Sequence, residues 1–333
     1  MTAIHSYGFG LATENSSGEV IEVYYPHFGL DAGAEFADEV LGCCGLQPGE
    51  SGYVKLGEAL RERLRTHLGA LASSEKTLVL CVLGADTAPA TVAEAFLKLH
   101  LLSARLVKPH ALNLNGMFGV LHNLAWTNEG PIDLSELPDR QLAARLQGRQ
   151  LSVTSVDKFP KMSDYIVPTG VRIADSARVR LGAYLGEGTT VMHEGFINFN
   201  AGTEGPNMIE GRVSAGVFCG AGSDVGGGAS IMGTLSGGGS MVIALGEKCL
   251  LGANSGAGIS LGDRCTIEAG LYITAGTIVT LLDDQNKPRG KAKARELSGH
   301  SDLLFRRNSI SGTVECLTNQ TAVELNEALH SSN

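Results

Sequence analysis

The glycine-rich second half of the chain carries a few carboxylate and guanidinium groups that could do chemistry. Glu210 and Arg212 stand two positions apart in the run IEGR, and Arg306 and Arg307 open the run RRNS. A carboxylate can act as a general base or as a nucleophile, and arginine binds carboxylates and phosphates through paired hydrogen bonds. Two plainer readings stay open: Glu210 as a solvated loop residue, and the arginine pair as charges that protect a strand edge.

Charge and cysteine content limit the partners. The formal net charge is -9 at pH 7, so no excess of positive charge can displace counterions from phosphates, and we expect neither nucleic acid nor an anionic membrane as a partner. The seven cysteines show no CxxC spacing and mostly lie in apolar runs, which indicates reduced core thiols. The start, MTAIHSYGFG, resembles no leader, and about 18 uninterrupted apolar residues occur nowhere. We therefore expect a cytoplasmic protein.

A six-residue period organises the region that would position these groups. It runs upstream from Ile173 to Ile197, and the step from Thr203 to Val213 is ten residues instead of six, which we interpret as four extra residues within 203–212. Downstream, steps of six from Val213 land on small or apolar residues: Cys219, Val225, Ile231, Gly237, Ile243, Cys249, Ser255, Leu261, Ile267, Ile273 and Val279.

Such a period is the hexapeptide signature of a parallel β-helix, in which three short strands form one coil and the coils stack by backbone pairing. It predicts a β-helix of nearly six coils over 171–284. The glycines of this region then have a structural role at coil corners. The runs GAGSDVGGG and SGGGS fall in phase with the repeat, and no strand-to-helix transition follows them, so a dinucleotide-binding loop is improbable there.

The segments on either side of the repeat have different patterns. Residues 1–150 read as an α/β domain with strands at 20–28 and 77–84, one amphipathic helix marked by leucines between Leu56 and Leu71, and a second helix starting near Thr87 and Pro89. Residues 151–170 read as a connector. Residues 285–333 read as a tail with strands in LLFRRNSISG and TVECLTN and a short helix that Thr321 and Glu324 would cap.

Three runs carry a resemblance to a known family. They are VMHEGFINFNAGTEGPNMIEGRVSAGVFCGAGSDVGGGASIMGTLSGGG, CLLGANSGAGISLGDRCTIEAGLYITAGT and LLFRRNS, and together they resemble the tetrahydrodipicolinate N-succinyltransferases of the longer actinobacterial and pseudomonad type. The resemblance implies a left-handed coil, a homotrimer and small-molecule substrates. It also implies succinyl transfer from the co-substrate succinyl-CoA to L-2-amino-6-oxopimelate, in diaminopimelate and lysine biosynthesis.

The resemblance also implies roles for particular residues. Glu210 matches the catalytic carboxylate, either as the nucleophile that forms an acyl anhydride or as a general base. Backbone N–H groups in the turn 226–228 are our candidates for stabilising the oxyanion. Contacts with succinyl-CoA fall on Arg212, Gly227, Ser230, Ala253, Glu268, Ala269, Gly276, Lys293, Arg306, Arg307, Asn308 and Ser309.

A structural magnesium ion is a further expectation from the resemblance. The family can hold a divalent cation at the trimer axis through the glutamate of MHEG, which is Glu194 here, and through an aspartate of an earlier coil. Ala177 occupies that aspartate's position. We therefore expect at most a structural site built from one carboxylate of each subunit.

Three competing hypotheses differ in kind. A zinc hydratase on the same fold needs three histidine ligands, and only His193 lies in the repeat. An acyltransferase for another amine would share the donor motifs and differ in the acceptor. A scaffold protein without activity would bind no acyl-CoA and would be indifferent to loss of the Glu210 carboxylate.

Overall fold

The computed structural model describes residues 4–233 and 242–318. The chain divides into two compact units, Met1–Val107 with Ala111–Pro160, and Lys108–His110 with Lys161–Asn333. Within the described ranges, no helix combines the length and the apolarity that crossing a membrane demands.

An antiparallel sheet forms the centre of the first unit. Its strands are β1 Ile4–Glu14, β2 Val20–Ala32, β3 Gly52–Lys55 and β4 Thr77–Leu83, in the order β2-β1-β4-β3. The strands predicted at 20–28 and 77–84 are confirmed as β2 and β4. From Leu78 to Leu83 the residues of β4 are buried, as expected for an interior strand.

The single helix predicted between Leu56 and Leu71 is wrong. After α1 Ala34–Cys44, this segment forms α2 Glu58–Arg63, α3 Arg65–Leu68 and a 3-10 turn, Gly69–Ser73. Gly69 has φ 53° and ψ -124°, far from helical values, so an α-helix cannot continue through it. Leu64 and Leu68 are fully buried all the same. The leucine spacing thus predicted burial correctly and continuity incorrectly.

The second predicted helix is confirmed as α4 Val92–Ser103. It begins at Val92 because the Thr91 hydroxyl accepts a hydrogen bond from the Glu94 N–H at 3.3 Å, and the Glu94 carboxylate accepts one from the Ala90 N–H at 2.9 Å. This reciprocal cap satisfies donors that the first helical turn leaves unpaired.

A second, smaller sheet completes the first unit. It comprises β5 Leu124–Thr127, β6 Gly130–Asp133 and β7 Val153–Asp157 in the order β6-β5-β7, all antiparallel, with the helices α5 Met117–Val120 and α6 Leu137–Leu146 beside them in sequence. The strand β7 lies inside the range 151–170 that we expected to be a connector, and the boundary between the units falls after Pro160.

The second unit is a parallel β-helix, as the hexapeptide period predicted. Three parallel sheets run along it, which we call faces 1, 2 and 3 in the order in which the chain visits them. Face 1 contains β8, β10, β13, β16, β19 and β21, face 2 contains β11, β14, β17, β20 and β22, and face 3 contains β9, β12, β15 and β18. The strands are β8 Arg172–Ile173, β9 Tyr184–Leu185, β10 Thr189–Val191, β11 Phe196–Ile197, β12 Gly202–Thr203, β13 Asn207–Ile209, β14 Arg212–Val213, β15 Phe218–Cys219, β16 Asp224–Val225, β17 Ser230–Ile231, β18 Ala244–Leu245, β19 Leu250–Leu251, β20 Gly256–Gly258, β21 Thr266–Ile267 and β22 Tyr272–Thr274.

The insertion predicted within 203–212 is wrong, because the strand register shows a shortening. Ile209 pairs with Val191 on face 1, and Val213 pairs with Ile197 on face 2. The chain therefore moves from face 1 to face 2 in four positions at this level, where Val191 to Ile197 takes six. One coil turn has lost two residues.

The regular six-residue spacing predicted downstream is also wrong between Ile231 and Leu261. One step between faces is too long there and another is too short, and the two deviations together amount to one hexad. The chain takes 14 positions from Ile231 on face 2 to Leu245 on face 3, and only four from Ala257 to Leu261. The first path is eight positions longer than a regular six-residue step, and the second is two positions shorter. Together they add six positions, which is one full hexad, so the sequence period is restored. Ile243, Cys249 and Ser255 are buried, but the residues at the strand centres are Leu245, Leu251 and Ala257.

A ladder of side chains ties the levels together at the corner between faces 3 and 1. Buried polar and thiol groups there each donate to a backbone carbonyl of the next level. The bonds are Asn207 to Gly220 at 2.8 Å, Ser223 to Gly246 at 2.7 Å, Cys249 to Gly262 at 3.0 Å and Cys265 to His300 at 3.2 Å. We call this set the corner ladder; it satisfies the carbonyls of Gly220, Gly246 and Gly262 at the buried corner, while the His300 carbonyl also accepts the Gly262 N–H at 2.9 Å.

The tail continues the coil and then doubles back. β23 Ile278–Leu282 and β24 Pro288–Lys293 form an antiparallel hairpin, while β25 Leu303–Arg307 pairs in parallel with β21 and antiparallel with β26 Val314–Thr318. Phe305 thereby extends face 1 beyond Ile267. The helix predicted around Thr321 and Glu324 lies outside the described residues.

We predict that Ser223→Ala lowers the free energy of unfolding by about 1–3 kcal/mol. The Ser223 hydroxyl both donates to the Gly246 carbonyl and accepts from the Cys249 N–H, and both partners would lose it in a buried corner. Chemical denaturation of the full chain measures the change.

Ser255→Ala is the matched control. Ser255 is 1% exposed, and its hydroxyl has no hydrogen-bond partner in the described part of the chain. The control should therefore cost nothing or stabilise the protein. Equal losses for the two variants would contradict the ladder's importance.

Candidate active site

The residues that the motifs singled out gather mainly at the corner between faces 1 and 2. Five residues stack directly on one another at this corner: Met192, Glu210, Gly226, Gly252 and Glu268. The N–H of each of the first four donates to the carbonyl of the residue that precedes the next member in sequence. The donors and acceptors are Met192 to Ile209, Glu210 to Val225, Gly226 to Leu251 and Gly252 to Ile267, at 2.8–2.9 Å. We call this stack, with the turn residues that follow each member, the corner column.

A recess in the corner column surrounds Glu210. The turn from Ile209 to Val213 is two residues shorter than the turns below and above it, which contain 193–194 and 227–228. Gly211 makes the short turn possible, since a Cβ there would lie 2.3 Å from the Ala229 carbonyl oxygen. The Glu210 side chain is partly buried, and a Cβ on Gly227 would lie 3.5 Å from its Oε2. The glycine thus leaves this side of the carboxylate free of a side chain from residue 227.

Arg212 provides the cation nearest in sequence to this recess. Its Nε and Nη2 donate to the Ser230 hydroxyl at 3.1 and 2.7 Å, which holds the guanidinium along face 2. The side chain is exposed, and no described carboxylate forms an ion pair with it. The remaining guanidinium donors can therefore bind an anionic ligand.

The run 306–309 stands one level beyond Glu268 and differs from residue to residue. Arg306 donates to Glu315 at 3.0 Å, and Asn308 donates to the other oxygen of the same buried carboxylate at 2.8 Å. Arg307 holds Glu268 through its backbone N–H at 2.7 Å and is exposed, as is Ser309. The charge of Arg306 is therefore already balanced within the chain, whereas the exposed Arg307 guanidinium donates to the Gly312 carbonyl at 3.2 Å and forms no ion pair with a described carboxylate.

Gly276 and Lys293 lie away from the corner column. Gly276 belongs to the turn after β22, and Lys293 pairs with Ile278 at the end of the hairpin. Both are exposed. Ala253 and Ala269, in contrast, follow Gly252 and Glu268 directly on the column, and a Cβ on Gly252 would meet the Ala269 nitrogen at 2.5 Å.

The proposed oxyanion donors are only partly available. The Gly226 N–H is committed to the Leu251 carbonyl at 2.8 Å, so its assignment as a donor to substrate is wrong. The N–H groups of Gly227 and Gly228 have no acceptor among the described residues. They lie in the turn that projects past Glu210, so they are the candidates that remain.

The residues around Glu194 do not fit a divalent cation. Position 177 is an alanine, which offers no side-chain oxygen, and the Arg178 Nη2 lies 3.8 Å from the Glu194 Oε2. Among the described residues, no group of three or more histidine, cysteine, aspartate or glutamate side chains is arranged to hold a metal ion. Magnesium requires near-octahedral oxygen coordination, and a guanidinium beside the one carboxylate opposes it.

Sequence reasoning missed two features of this corner. The shortened turn was visible only as a phase break, and a break of ten residues reads equally well as an insertion or as a lost pair. The Arg178 ion pair joins residues 16 positions apart, and only knowledge of which levels stack would have suggested it.

Comparison with known proteins places this architecture in a class. The segment 242–275 matches the model described as the hexapeptide repeat of succinyl-transferase, and 54–119 and 121–161 match the models for the N-terminal and middle regions of tetrahydrodipicolinate N-succinyltransferase. The fold is that of the hexapeptide-repeat acyltransferases.

Whole-chain relatives narrow the class to one family. The 2,3,4,5-tetrahydropyridine-2,6-dicarboxylate N-succinyltransferases of Pseudomonas aeruginosa and Vibrio cholerae are 59% and 54% identical, over 99% of this chain and 99% and 100% of theirs. A solved Campylobacter jejuni structure described as a 2,3,4,5-tetrahydropyridine-2-carboxylate N-succinyltransferase is 31% identical, with a TM-score of 0.88 over 97% of this chain and 94% of that one. This chain belongs to the tetrahydrodipicolinate N-succinyltransferase family, which confirms the resemblance drawn from the motifs.

We predict that Gly211→Ala destabilises the protein by about 1–3 kcal/mol and displaces Glu210. The added methyl would meet the Ala229 carbonyl oxygen at 2.3 Å and the Gly226 carbonyl oxygen at 2.8 Å, so the short turn must open. Thermal or chemical unfolding measures the loss. Gly290→Ala is the matched control, because nothing lies within 4 Å of its added Cβ; a wild-type stability for Gly211→Ala would contradict the recess as described.

Proposed function

We propose that this protein transfers the succinyl group of succinyl-CoA to the amine of L-2-amino-6-oxopimelate, the open form of tetrahydrodipicolinate, in the succinylase branch of diaminopimelate and lysine biosynthesis. The observation that carries the proposal is the partly buried Glu210 in its shortened turn, followed by Arg212, which pairs with no described carboxylate, in a chain whose family relatives bear this activity in their names. Succinyl-CoA is the co-substrate.

The recess suits the proton transfers of amide formation. The acceptor amine must lose a proton before its lone pair can attack the thioester carbonyl, and the CoA sulfur leaves as a thiolate that must gain one. A carboxylate with open space before it can take the first proton as a general base. It can also attack the carbonyl itself, form an acyl anhydride and pass the succinyl group to the amine.

The projecting turn beyond Glu210 would support the oxyanion. When nitrogen or carboxylate adds to the thioester carbonyl, negative charge develops on its oxygen. The N–H groups of Gly227 and Gly228, which have no acceptor in the described part of the chain, lie in the turn next to Glu210, and fixed backbone donors stabilise such a charge without reorganisation.

The donor would lie along the corner column and face 2. Arg212 is the best-placed cation for the succinyl carboxylate because Ser230 orients it and no described carboxylate neutralises it. Arg307, Asn308 and Ser309 with Glu268, Ala253 and Ala269 would line the donor further along the column, whereas Arg306 would act through its bond to Glu315. Gly276 and Lys293 would contact the donor from the next corner.

The assembly and location remain parts of the proposal. We propose a left-handed coil, a homotrimer and a cytoplasmic enzyme, as in hexapeptide acyltransferases generally. The acceptor is the least constrained element: another amine would be consistent with the same donor-binding residues, and substrate assays separate the two cases.

We predict that Glu210→Gln reduces acceptor-dependent thiol release by at least about 100-fold, the scale expected for losing a positioned acid–base or nucleophilic group. Release of CoA thiol from succinyl-CoA is measured with and without tetrahydrodipicolinate. Glu247→Gln, which removes an exposed carboxylate at a different corner, should retain wild-type activity. If wild type releases thiol with neither acyl-CoA, the scaffold hypothesis gains instead.

The same assay distinguishes nucleophile from base. A Glu210 anhydride predicts a burst of thiol without acceptor, equal to the enzyme concentration, and capture of the activated carboxylate by hydroxylamine. A general base predicts neither, because no bond to the enzyme forms.

We predict that Arg212→Ala lowers kcat/KM for succinyl-CoA by roughly 10–100-fold, the effect of removing one charge-assisted contact, and changes kcat/KM for acetyl-CoA much less. Acetyl-CoA lacks the terminal carboxylate and serves as the internal control. If kcat/KM fell equally for the two donors, Arg212 would not bind the succinyl carboxylate, and another cation would have to do so.

A further inference from the structure

Next to the first level of the corner column, an arginine from the preceding coil lies between two carboxylates. The Arg178 Nε lies 3.9 Å from the Asp175 Oδ2, and its Nη2 lies 3.8 Å from the Glu194 Oε2. The two levels are adjacent, since Val191 pairs with Ile173 and the Ala174 N–H donates to the Val191 carbonyl at 2.9 Å. The guanidinium thus bridges neighbouring coils at their outer corner.

The local backbone fixes where this guanidinium stands. Asp175 caps the 3-10 turn Ser176–Arg178, with its Oδ1 accepting the Ala177 N–H at 3.0 Å. One oxygen of Asp175 is therefore already used by the backbone, and its other oxygen faces Arg178. Glu194 is left with Arg178 as its only ion-pair partner among the described residues.

We propose that Arg178 supplies the positive charge for Glu194 in this protein, so that neither its folding nor its self-association requires a divalent cation at that site. An arginine side chain cannot lose its proton in a protein, so the charge is present at every working pH. A dication approaching Glu194 would meet a fixed cation within 4 Å and would be repelled. Alanine at position 177 offers it no replacement oxygen.

The pair is solvent-exposed in a single chain, with the Arg178 and Glu194 side chains 41% and 76% exposed, and such pairs contribute little to stability. Its value would lie in an assembly that brings several Glu194 side chains together, where carboxylates repel unless a cation accompanies each one. This step rests on the proposed homotrimer and is independent of the catalytic proposal.

The first test compares the full-length wild type with Ala177→Asp/Arg178→Ala, which removes the arginine and adds one carboxylate to accompany Glu194. Bound divalent metal is measured by mass spectrometry of the ashed protein, and thermal unfolding is followed in magnesium or in EDTA. We expect wild type to retain no stoichiometric metal and its Tm to change by less than about 1 °C, while the double variant gains a magnesium-dependent Tm several degrees higher. Stoichiometric magnesium in wild type, or a magnesium-raised Tm that Glu194→Gln abolishes, would overturn the proposal.

A second comparison remains decisive if the double variant does not fold. Arg178→Gln leaves Glu194 without a counter-charge, so sedimentation at low salt should show weaker self-association, which added salt restores by screening. Glu194→Gln in the same chain should rescue it, and Arg178→Lys should behave like wild type. Unchanged association for Arg178→Gln at all salt concentrations would also overturn the proposal. None of these readouts uses enzymatic activity, so failure of the succinyl-transfer assay would leave their interpretation unaffected.

Discussion

The β-helix depends on one constraint, the hydrogen-bonded stacking of each coil directly on the next. Every level must offer its backbone N–H and carbonyl groups to the levels on both sides, so the three faces advance together. At the buried corners the strand pairing stops, and side chains must complete the bonding. The corner ladder of Asn207, Ser223, Cys249 and Cys265 does this between faces 3 and 1. Between faces 1 and 2 there is no comparable ladder among the described residues, and Ser255 keeps an unpaired hydroxyl. The corner that carries the candidate chemistry is thus held mainly by backbone bonds, with side-chain links at its two ends, from Arg178 to Glu194 and from the Arg307 N–H to Glu268.

Much of the architecture could be predicted because every level of a solenoid is built in the same way. Inward residues recur at six-residue intervals, so the sequence reveals the coil directly. The sequence does not show the length of each individual turn, because a longer turn and a shorter one can together preserve the six-residue period. The long path from Ile231 to Leu245 and the short one from Ala257 to Leu261 restore the phase between them, and no pattern in the sequence distinguishes this from regular coils. In the first unit, Gly69 breaks a helix whose leucine spacing continues past it.

The candidate site was predictable to a similar degree. Motifs singled out Glu210, Arg212 and several residues of the corner column as candidates, because a family resemblance transfers residue by residue, and their roles stay predictions. They could not show that Arg306 is already paired with Glu315, that the Gly226 N–H is committed to Leu251, or that Arg178 faces Glu194. Each of these facts depends on which residues meet across levels. A motif read along the chain contains no information about neighbours across the stack.

The two-residue shortening at Glu210 has a consequence for how such a protein can change. Each level pairs only with its immediate neighbours, so a turn can lose or gain residues while the strands above and below keep their register. Turn length at each level is therefore an independent variable in evolution and in engineering. A cavity of chosen depth could be opened at another level of the same prism by trimming one turn and placing a glycine where the shortened backbone passes its neighbour, as Gly211 does beneath Ala229.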